Sequence, residues 1–100
     1  MSSPLTISQL QSLAHATAKA KGFWSTNRPL GESLCLIHSE ISEALEADRQ
    51  GRFSKIGEEL ADAMIRIADL AEHMHINLQD EIECKMTKNM SRPHKHGKAY

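Results

Sequence analysis

Two pairs of acidic residues at matched spacing constrain this 100-residue chain more than any other feature. Glu40 and Glu43 lie in the run SEISEALEA, and Glu59 and Asp62 lie in the run EELADAMI. Side chains three positions apart share a face of an α-helix, so each run can present its two carboxylates side by side. Four converging carboxylates would form an oxygen-rich site for a hard divalent cation, and we expect Mg²⁺ there.

The first pair lies within a strongly amphipathic stretch. At about 100° per residue, Glu40 falls inside an apolar arc that includes Ile37, Ile41 and Ala44, and Glu43 falls at the border of that arc. A carboxylate on an apolar face is costly to bury unless it is paired. The pattern therefore predicts that Glu40 has a partner in the folded protein.

Capping residues and apolar periodicity predict the first two helices. Thr6 and Gln9 have the spacing of a capping box, and the helix that follows should stop near Gly22. A loop carrying aromatic and basic residues comes next. The second helix should run from about residue 29 to residue 50, with Pro29 in its first turn and Gly51 just past its end.

The third helix should begin after an N-cap at Ser54 and continue to about residue 74, and the fourth should run from a cap at Asn77 to about residue 90. A short connection between two long amphipathic helices favours an antiparallel hairpin. No strand pattern is visible. We therefore predict an all-α fold, in which an antiparallel helical hairpin with flanking helices completes a four-helix-type bundle by oligomerisation.

Length and charge predict the broad class of the protein. Residues 1–100 are expected to form a single domain with a flexible basic tail at about 91–100, and a domain this small gains from sharing its core with a second copy. The net charge of −1 gives no reason to expect nucleic acid or an anionic membrane as partner. Cys35 and Cys84 are isolated thiols, and no signal peptide or membrane span is evident. We expect a cytoplasmic protein.

The spacing of the four acids resembles the MazG-like nucleotide pyrophosphohydrolases of the all-α NTP pyrophosphatase superfamily, in which ExxE is followed, after a turn, by ExxD. The runs LIHSEISEALEA and EELADAMIRIADLA are similar to the two motif helices of that family. The run KMTKNMSRPHKHGK, residues 85–98, is similar to the ending of its short members. The resemblance covers most of residues 23–98.

The resemblance implies that the protein hydrolyses a nucleoside triphosphate between the α and β phosphates, giving a monophosphate and pyrophosphate. It implies Glu40, Glu43, Glu59 and Asp62 as metal ligands and catalytic residues, with Mg²⁺ as cofactor and Mn²⁺ able to substitute. An acidic site needs such a cation to receive an anionic triphosphate. A cluster glutamate or Glu58 would orient or deprotonate the attacking water. The number of metal ions and the preferred base and sugar stay open.

Four further residues are candidates for substrate binding. Lys85, Asn89 and Arg92 match the Lys, Asn and Arg found downstream of the family's acids, and Lys and Arg can pair with phosphate oxygens. The alternative is a solvated final helix with a basic end. Trp24, the only tryptophan, precedes the first motif helix. It could stack on a base, or it could be a plug in the core of a homodimer or homotetramer.

Other interpretations are weaker. His38 projects away from the carboxylate face and should be structural or exposed. Glu72 and His75 form a single ExxH, whereas a di-iron bundle needs that motif on two helices. The histidines at positions 73, 75, 94 and 96 are too loosely arranged for a zinc site. A rival from another class is a non-catalytic helical interaction module, in which the acids pair with arginines; these are Arg49, Arg52 and Arg66.

Overall fold

The chain folds into four α-helices followed by one short 3₁₀ helix. A computed structural model describes residues 4–99, apart from the side chain of His96. The helices are α1 (Ile7–Ala20), α2 (Leu30–Arg49), α3 (Phe53–His73) and α4 (Leu78–Met90), and the 3₁₀ helix is His94–Gly97. No strand occurs between residues 4 and 99, so the all-α prediction is confirmed. None of these helices is both long enough and apolar enough to cross a membrane.

Polar side chains start two of the helices as predicted. Thr6 Oγ1 accepts the backbone N–H of Gln9 at 3.1 Å, while Gln9 Oε1 accepts the N–H of Thr6 at 2.8 Å. This reciprocal pair is the capping box of α1. Asn77 Oδ1 accepts the N–H of Asp80 at 3.0 Å and caps α4. Both caps satisfy backbone donors that an isolated helix start leaves unpaired.

Two predicted starts are one or two residues off. Pro29 is the N-cap of α2 rather than its first residue, because its ψ of 145° is extended. Ser54 is not a cap, because α3 already begins at Phe53 and Arg52 holds the N-cap position without a side-chain hydrogen bond. Within the predicted tail, residues 94–97 form a 3₁₀ helix. The predicted single domain (residues 1–100) and the predicted flexible tail (about 91–100) include residues 1–3 and 100, which lie outside the described residues.

A three-residue turn, residues 50–52, joins α2 to α3 and makes them an antiparallel hairpin. Gly51 has a φ of +71°, which a glycine adopts without a steric penalty. Its conformation lets the N–H of Arg52 bond to the carbonyl of Ala47 at 2.9 Å, closing the end of α2. The hairpin is the main packing unit of the chain, with α1 lying against α3 and α4 against α1.

Small residues form the buried interior of the hairpin and its contact with α1. The buried apolar residues are Ala14, Ala44, Ala47, Ala63, Ala68 and Ala71. Among residues 4–99, no large side chain is fully buried. Alanine brings helices close together but removes little apolar area from water, so a single chain gains only a modest hydrophobic stabilisation.

The large apolar side chains instead lie on one exposed face of the hairpin. On α2 the large apolar side chains lie to one side of the buried Ala44, and Glu43 lies to the other side. On α3 the large apolar side chains lie to one side of the buried Ala63, and Glu59 lies to the other side. Because the two glutamates converge, the two apolar rows share the opposite face. We call it the hairpin face: Leu30, Leu34, Ile41, Leu45, Phe53, Leu60 and Met64.

A buried glutamine fastens α4 to the rest of the fold. Gln11 is 3% exposed. Its Nε2 donates to the carbonyl of Ile76 at 2.8 Å and to Glu72 Oε1 at 3.3 Å, and its Oε1 accepts the N–H of Leu78 at 2.9 Å. Gln11 therefore satisfies a backbone donor at the start of α4 and an acceptor in the α3–α4 turn.

Replacing Gln11 by alanine is expected to lower the free energy of unfolding by about 1–3 kcal/mol, because it removes the partners of the part-buried backbone groups of Ile76 and Leu78. Urea unfolding followed by circular dichroism measures the change. Gln50→Ala is the control, since Gln50 is exposed and its side chain, in the part of the chain that the structure describes, bonds only to Glu46 at the same helix end. Equal, small losses in the two variants would show that the Gln11 bonds do not hold α4.

Candidate functional site

Three of the four predicted acids converge between α2 and α3. One carboxylate oxygen from each of Glu40, Glu43 and Glu59 lies within 4.8 Å of the other two. Glu40 is buried, Glu59 is half-buried and Glu43 is exposed, so the cluster opens from the helix seam towards solvent. A divalent cation bound by oxygens at about 2.0–2.6 Å needs this kind of crowding, and an all-oxygen donor set suits Mg²⁺ or Mn²⁺. The side chains present therefore fit the predicted ion.

Asp62, the fourth predicted ligand, is not one of the three converging carboxylates. It lies three residues after Glu59 in α3 and is exposed. Its charge still acts on the cluster, because it helps to raise the pKa of Glu59. Its role as a ligand stays a prediction.

Glu40 has the partner that its position on an apolar face predicted. Arg66 Nε donates to Glu40 Oε1 at 2.9 Å, which joins α3 to α2 across the seam. The Glu40 side chain is 9% exposed, and the Arg66 side chain is 36% exposed. The ion pair therefore neutralises the most buried carboxylate of the cluster with an arginine that is itself partly exposed.

The pKa of Glu59 is raised above its ordinary value of 4.5. Partial desolvation is the largest cause, followed by the negative charges of Glu43 and Asp62 and by a hydrogen bond with Glu40 that favours the protonated form. Partial desolvation and the crowding of carboxylates thus make the charged form of Glu59 less favourable than it is in a free glutamate. A bound cation would reverse this by favouring ionised ligands.

The raised pKa sets the sign of a pH dependence. Above pH 4.5 the folded protein holds more protons at Glu59 than the unfolded chain, so the contribution of Glu59 to stability falls as pH rises through its folded pKa. In chelator-treated protein, Glu59→Gln is therefore expected to raise the melting midpoint at pH 7.5, with the gap to wild type closing towards pH 4.5.

Thermal melts across this pH range measure the gap. Glu58→Gln is the control, because Glu58 is exposed and pairs with Lys55 at 3.2 Å, so its loss should not raise the midpoint. A Glu59→Gln protein that melts below wild type at pH 7.5 would contradict the prediction.

Trp24 lies in a second cluster that joins α1, α3 and the loop before α2. Its Nε1–H donates to both carboxylate oxygens of Asp69, at 2.9 and 3.1 Å. Its indole ring stacks on His73 at 3.7 Å between centroids and 10° between planes. Arg28 lies 5.7 Å from the ring centroid, within the range of a cation–π contact. The Trp24 ring is therefore held in place by its N–H bonds to Asp69 and by stacking on His73.

His15 completes this cluster from α1. Its Nδ1 is 2.8 Å from Asp69 Oδ1, and because an ionised carboxylate only accepts, the nitrogen is the donor. Sequence reasoning missed His15, Asp69 and His73. The signal for His15 was its place on the inner face of α1, near the buried Gln11 and Ala14. Asp69 gave no such signal, since on the sequence it is one of several acids on the flank of α3.

An open cleft of about 480 Å³ connects the acids to the Trp24 region. Glu40, Asp62 and Arg66 contribute to its wall near the acids. The remaining lining residues are Leu5, Leu10, Leu13, Ala14, Thr17, Ala18, Phe23, Arg28, Ile65 and Asp69. Its volume lies in the range of small-molecule sites, and its mixture of apolar walls with a few charged groups is typical of them.

The downstream candidates make no hydrogen bond or ion pair with the acids within residues 4–99. Lys85 and Asn89 lie on α4, which packs against α1, and Arg92 follows its end. Arg92 Nη1 lies 3.5 Å from Asn89 Oδ1. Among the hydrogen bonds and ion pairs of residues 4–99, none joins these three side chains to the acidic cluster. His38 is exposed, in line with its predicted structural or surface role.

Comparisons of the chain with protein-family models, with curated proteins and with solved structures found no match. The geometry of the site is therefore the basis for a functional conclusion.

Proposed function

We propose that this protein is a Mg²⁺-dependent nucleoside triphosphate pyrophosphohydrolase. It would cleave a ribo- or deoxyribonucleoside triphosphate between the α and β phosphates and release a monophosphate and pyrophosphate. The observation that carries the proposal is the convergence of Glu40, Glu43 and Glu59 beside an open cleft. The MazG-like pattern of the sequence supports the same activity.

The acidic cluster supplies the metal ligands. Glu40, Glu43 and Glu59 would hold the cation, with Asp62 close enough to influence the charge of the cluster. When bound, the ion supplies Lewis acidity at a phosphate oxygen and offsets the charge of the substrate. A cluster glutamate would orient or deprotonate the attacking water. Glu58 is less suited to that role, because it is engaged by Lys55 on the outer surface of α3.

The cleft would hold the nucleoside. Phe23, Leu13 and Ile65 offer apolar contact for a base, and Arg28 offers a positive charge for phosphate. Trp24 borders this region but already donates its N–H to Asp69. A role for Trp24 in binding would therefore use the ring and not its hydrogen-bond donor.

A second copy would cover the hairpin face, giving a homodimer or, as a dimer of dimers, a homotetramer. Its seven large apolar residues are between 45% and 67% exposed. Burial of these side chains would supply a large share of the about 800 Å² per partner that a standard interface covers. A copy of the same chain offers a matching apolar row, and the pairing of two hairpins yields a four-helix bundle. The acids lie on the opposite face and stay accessible.

Lys85, Asn89 and Arg92 make no hydrogen bond or ion pair with the acidic cluster of their own chain within residues 4–99, and their contact with substrate phosphate stays a prediction. The activity fits the removal of surplus or non-standard nucleotides from the cytoplasmic pool. The net charge of −1 gives no electrostatic basis for nucleic-acid binding.

The direct test is the release of pyrophosphate from a panel of standard and modified nucleoside triphosphates, with Mg²⁺ or Mn²⁺ and with chelator as the blank. We expect metal-dependent release from at least one of them. Purified, folded protein that releases none from the whole panel would overturn the proposal.

A non-catalytic helical interaction module is the second candidate, and the ion pair between Arg66 and Glu40 favours it in part. In that case the acids would serve as ion-pair partners and not as metal ligands. Thermal melts with Mg²⁺ and nucleotide, alone and together, separate the two candidates, because a ligand specific for the folded state raises the midpoint. No shift with both present would favour the interaction module.

A further inference from the structure

Arg66 is the one basic side chain in the described residues that forms an ion pair with a member of the acidic cluster. The pair is a single contact, from Nε to Glu40 Oε1 at 2.9 Å. Within residues 4–99 neither Nη group of Arg66 donates a hydrogen bond. The guanidinium therefore does not bind the carboxylate in a bidentate manner. The pair joins a carboxylate that is 9% exposed to an arginine that is 36% exposed.

The paired carboxylate belongs to the cluster that would bind a cation. An oxygen of Glu40 lies within 4.8 Å of oxygens from Glu43 and Glu59. A divalent ion bound to these oxygens would lie within a few ångströms of the guanidinium, and two cations at that distance repel each other. Arg66 and the metal therefore compete for the same carboxylate.

The structure also offers Arg66 a second position, in the open cleft, when metal displaces it from Glu40. It lines the open cleft together with Asp62 and Asp69, and its partial exposure lets it turn without burying its charge. A guanidinium pairs well with phosphate oxygens, because its planar donors match their geometry. A triphosphate in the cleft would thus accept the contact that Glu40 gives up.

We propose that Arg66 is an internal counter-ion of the metal site, which neutralises Glu40 in the metal-free protein and transfers to substrate phosphate when metal binds. This inference rests on the proposed function. It makes metal and phosphate bind cooperatively, because each removes an obstacle to the other, and the coupling is reciprocal. The site is then weak for free metal and strong for metal with nucleotide.

The test is Mn²⁺ binding to chelator-treated protein by isothermal titration calorimetry, without nucleotide. Arg66→Met keeps an apolar stem and removes the charge, so it should tighten Mn²⁺ binding by about tenfold, within the usual range of site-to-site coupling. It should also lower the melting midpoint of metal-free protein and enlarge the rise in midpoint that Mn²⁺ produces. Arg66→Lys retains the charge and should bind Mn²⁺ close to wild type.

Arg49→Met is the matched control, since it changes the net charge equally and Arg49 has no ion pair among the described residues. Its Mn²⁺ affinity should equal that of wild type. Wild-type binding with unchanged or weaker binding by Arg66→Met overturns the counter-ion role and leaves the proposed function intact. No detectable Mn²⁺ binding by wild type beside measurable binding by Arg66→Met supports the inference. Absence of Mn²⁺ binding by both proteins, each tested with and without nucleoside triphosphate, overturns the proposed function and the inference together.

If Arg66→Met does not fold without metal, the same variant is followed by circular dichroism during Mn²⁺ addition. Recovery of helix at Mn²⁺ concentrations below the wild-type dissociation constant supports the inference, because the metal then replaces the lost counter-ion. Failure to recover helix counts against it.

Discussion

Glu40→Gln is expected to reduce pyrophosphate release at least about 100-fold while the helical circular dichroism stays close to wild type. Changes to residues that only support a metal ligand typically cost 10–100-fold, and Glu40 is itself one of the three converging carboxylates. The amide oxygen of glutamine can still accept from Arg66 Nε, so the link between α2 and α3 is retained. Initial rates at saturating Mg²⁺ measure the loss.

Two further variants make this result interpretable. Glu46→Gln removes one charge from the exposed side of the same helix and should keep full activity. Within residues 4–99 the Glu46 carboxylate accepts only from Gln50. Glu43→Gln removes an exposed cluster carboxylate and should lose activity without any effect on folding. An equal loss in Glu46→Gln and Glu40→Gln would mean that the acids matter for folding alone.

The second large effect concerns the hairpin face. Wild-type protein is expected to have a solution mass of at least twice the 11.2 kDa of the chain. The double variant Ile41→Glu with Leu60→Glu should have the mass of one chain. Burial of an Ile or Leu side chain stabilises by about 1.5–3 kcal/mol. In a domain of this size each kcal/mol moves the melting midpoint by roughly 4–8 °C, so we expect a fall of more than about 10 °C.

Light scattering coupled to size exclusion measures the mass, and a thermal melt measures the midpoint. Met90→Glu provides the control, because Met90 is 86% exposed at the end of α4 and does not belong to the hairpin face. It should leave both values unchanged. Wild-type protein that runs as a single chain at micromolar concentration would contradict the proposed assembly.

The sequence by itself determined the local structure, because the interactions responsible join residues three or four positions apart. The reciprocal bonds of Thr6 and Gln9, the cap at Asn77 and the stop at Gly51 all follow from side chains acting on nearby backbone. The same local rule placed Glu40 on a buried face of α2. The end of α3 was placed within one residue, at about 74 against His73, although no glycine marks the stop and His75 adopts a φ of +59°.

The partners of the site residues were decided by tertiary structure. The bond between Arg66 and Glu40 spans 26 positions, and that between His15 and Asp69 spans 54. Such pairs depend on the register and the distance between packed helices, and the alanine seam that sets them accepts more than one register on the sequence alone. This is also why the spacing of the acids predicted four converging carboxylates, whereas the packed helices bring together three and leave Asp62 at the edge.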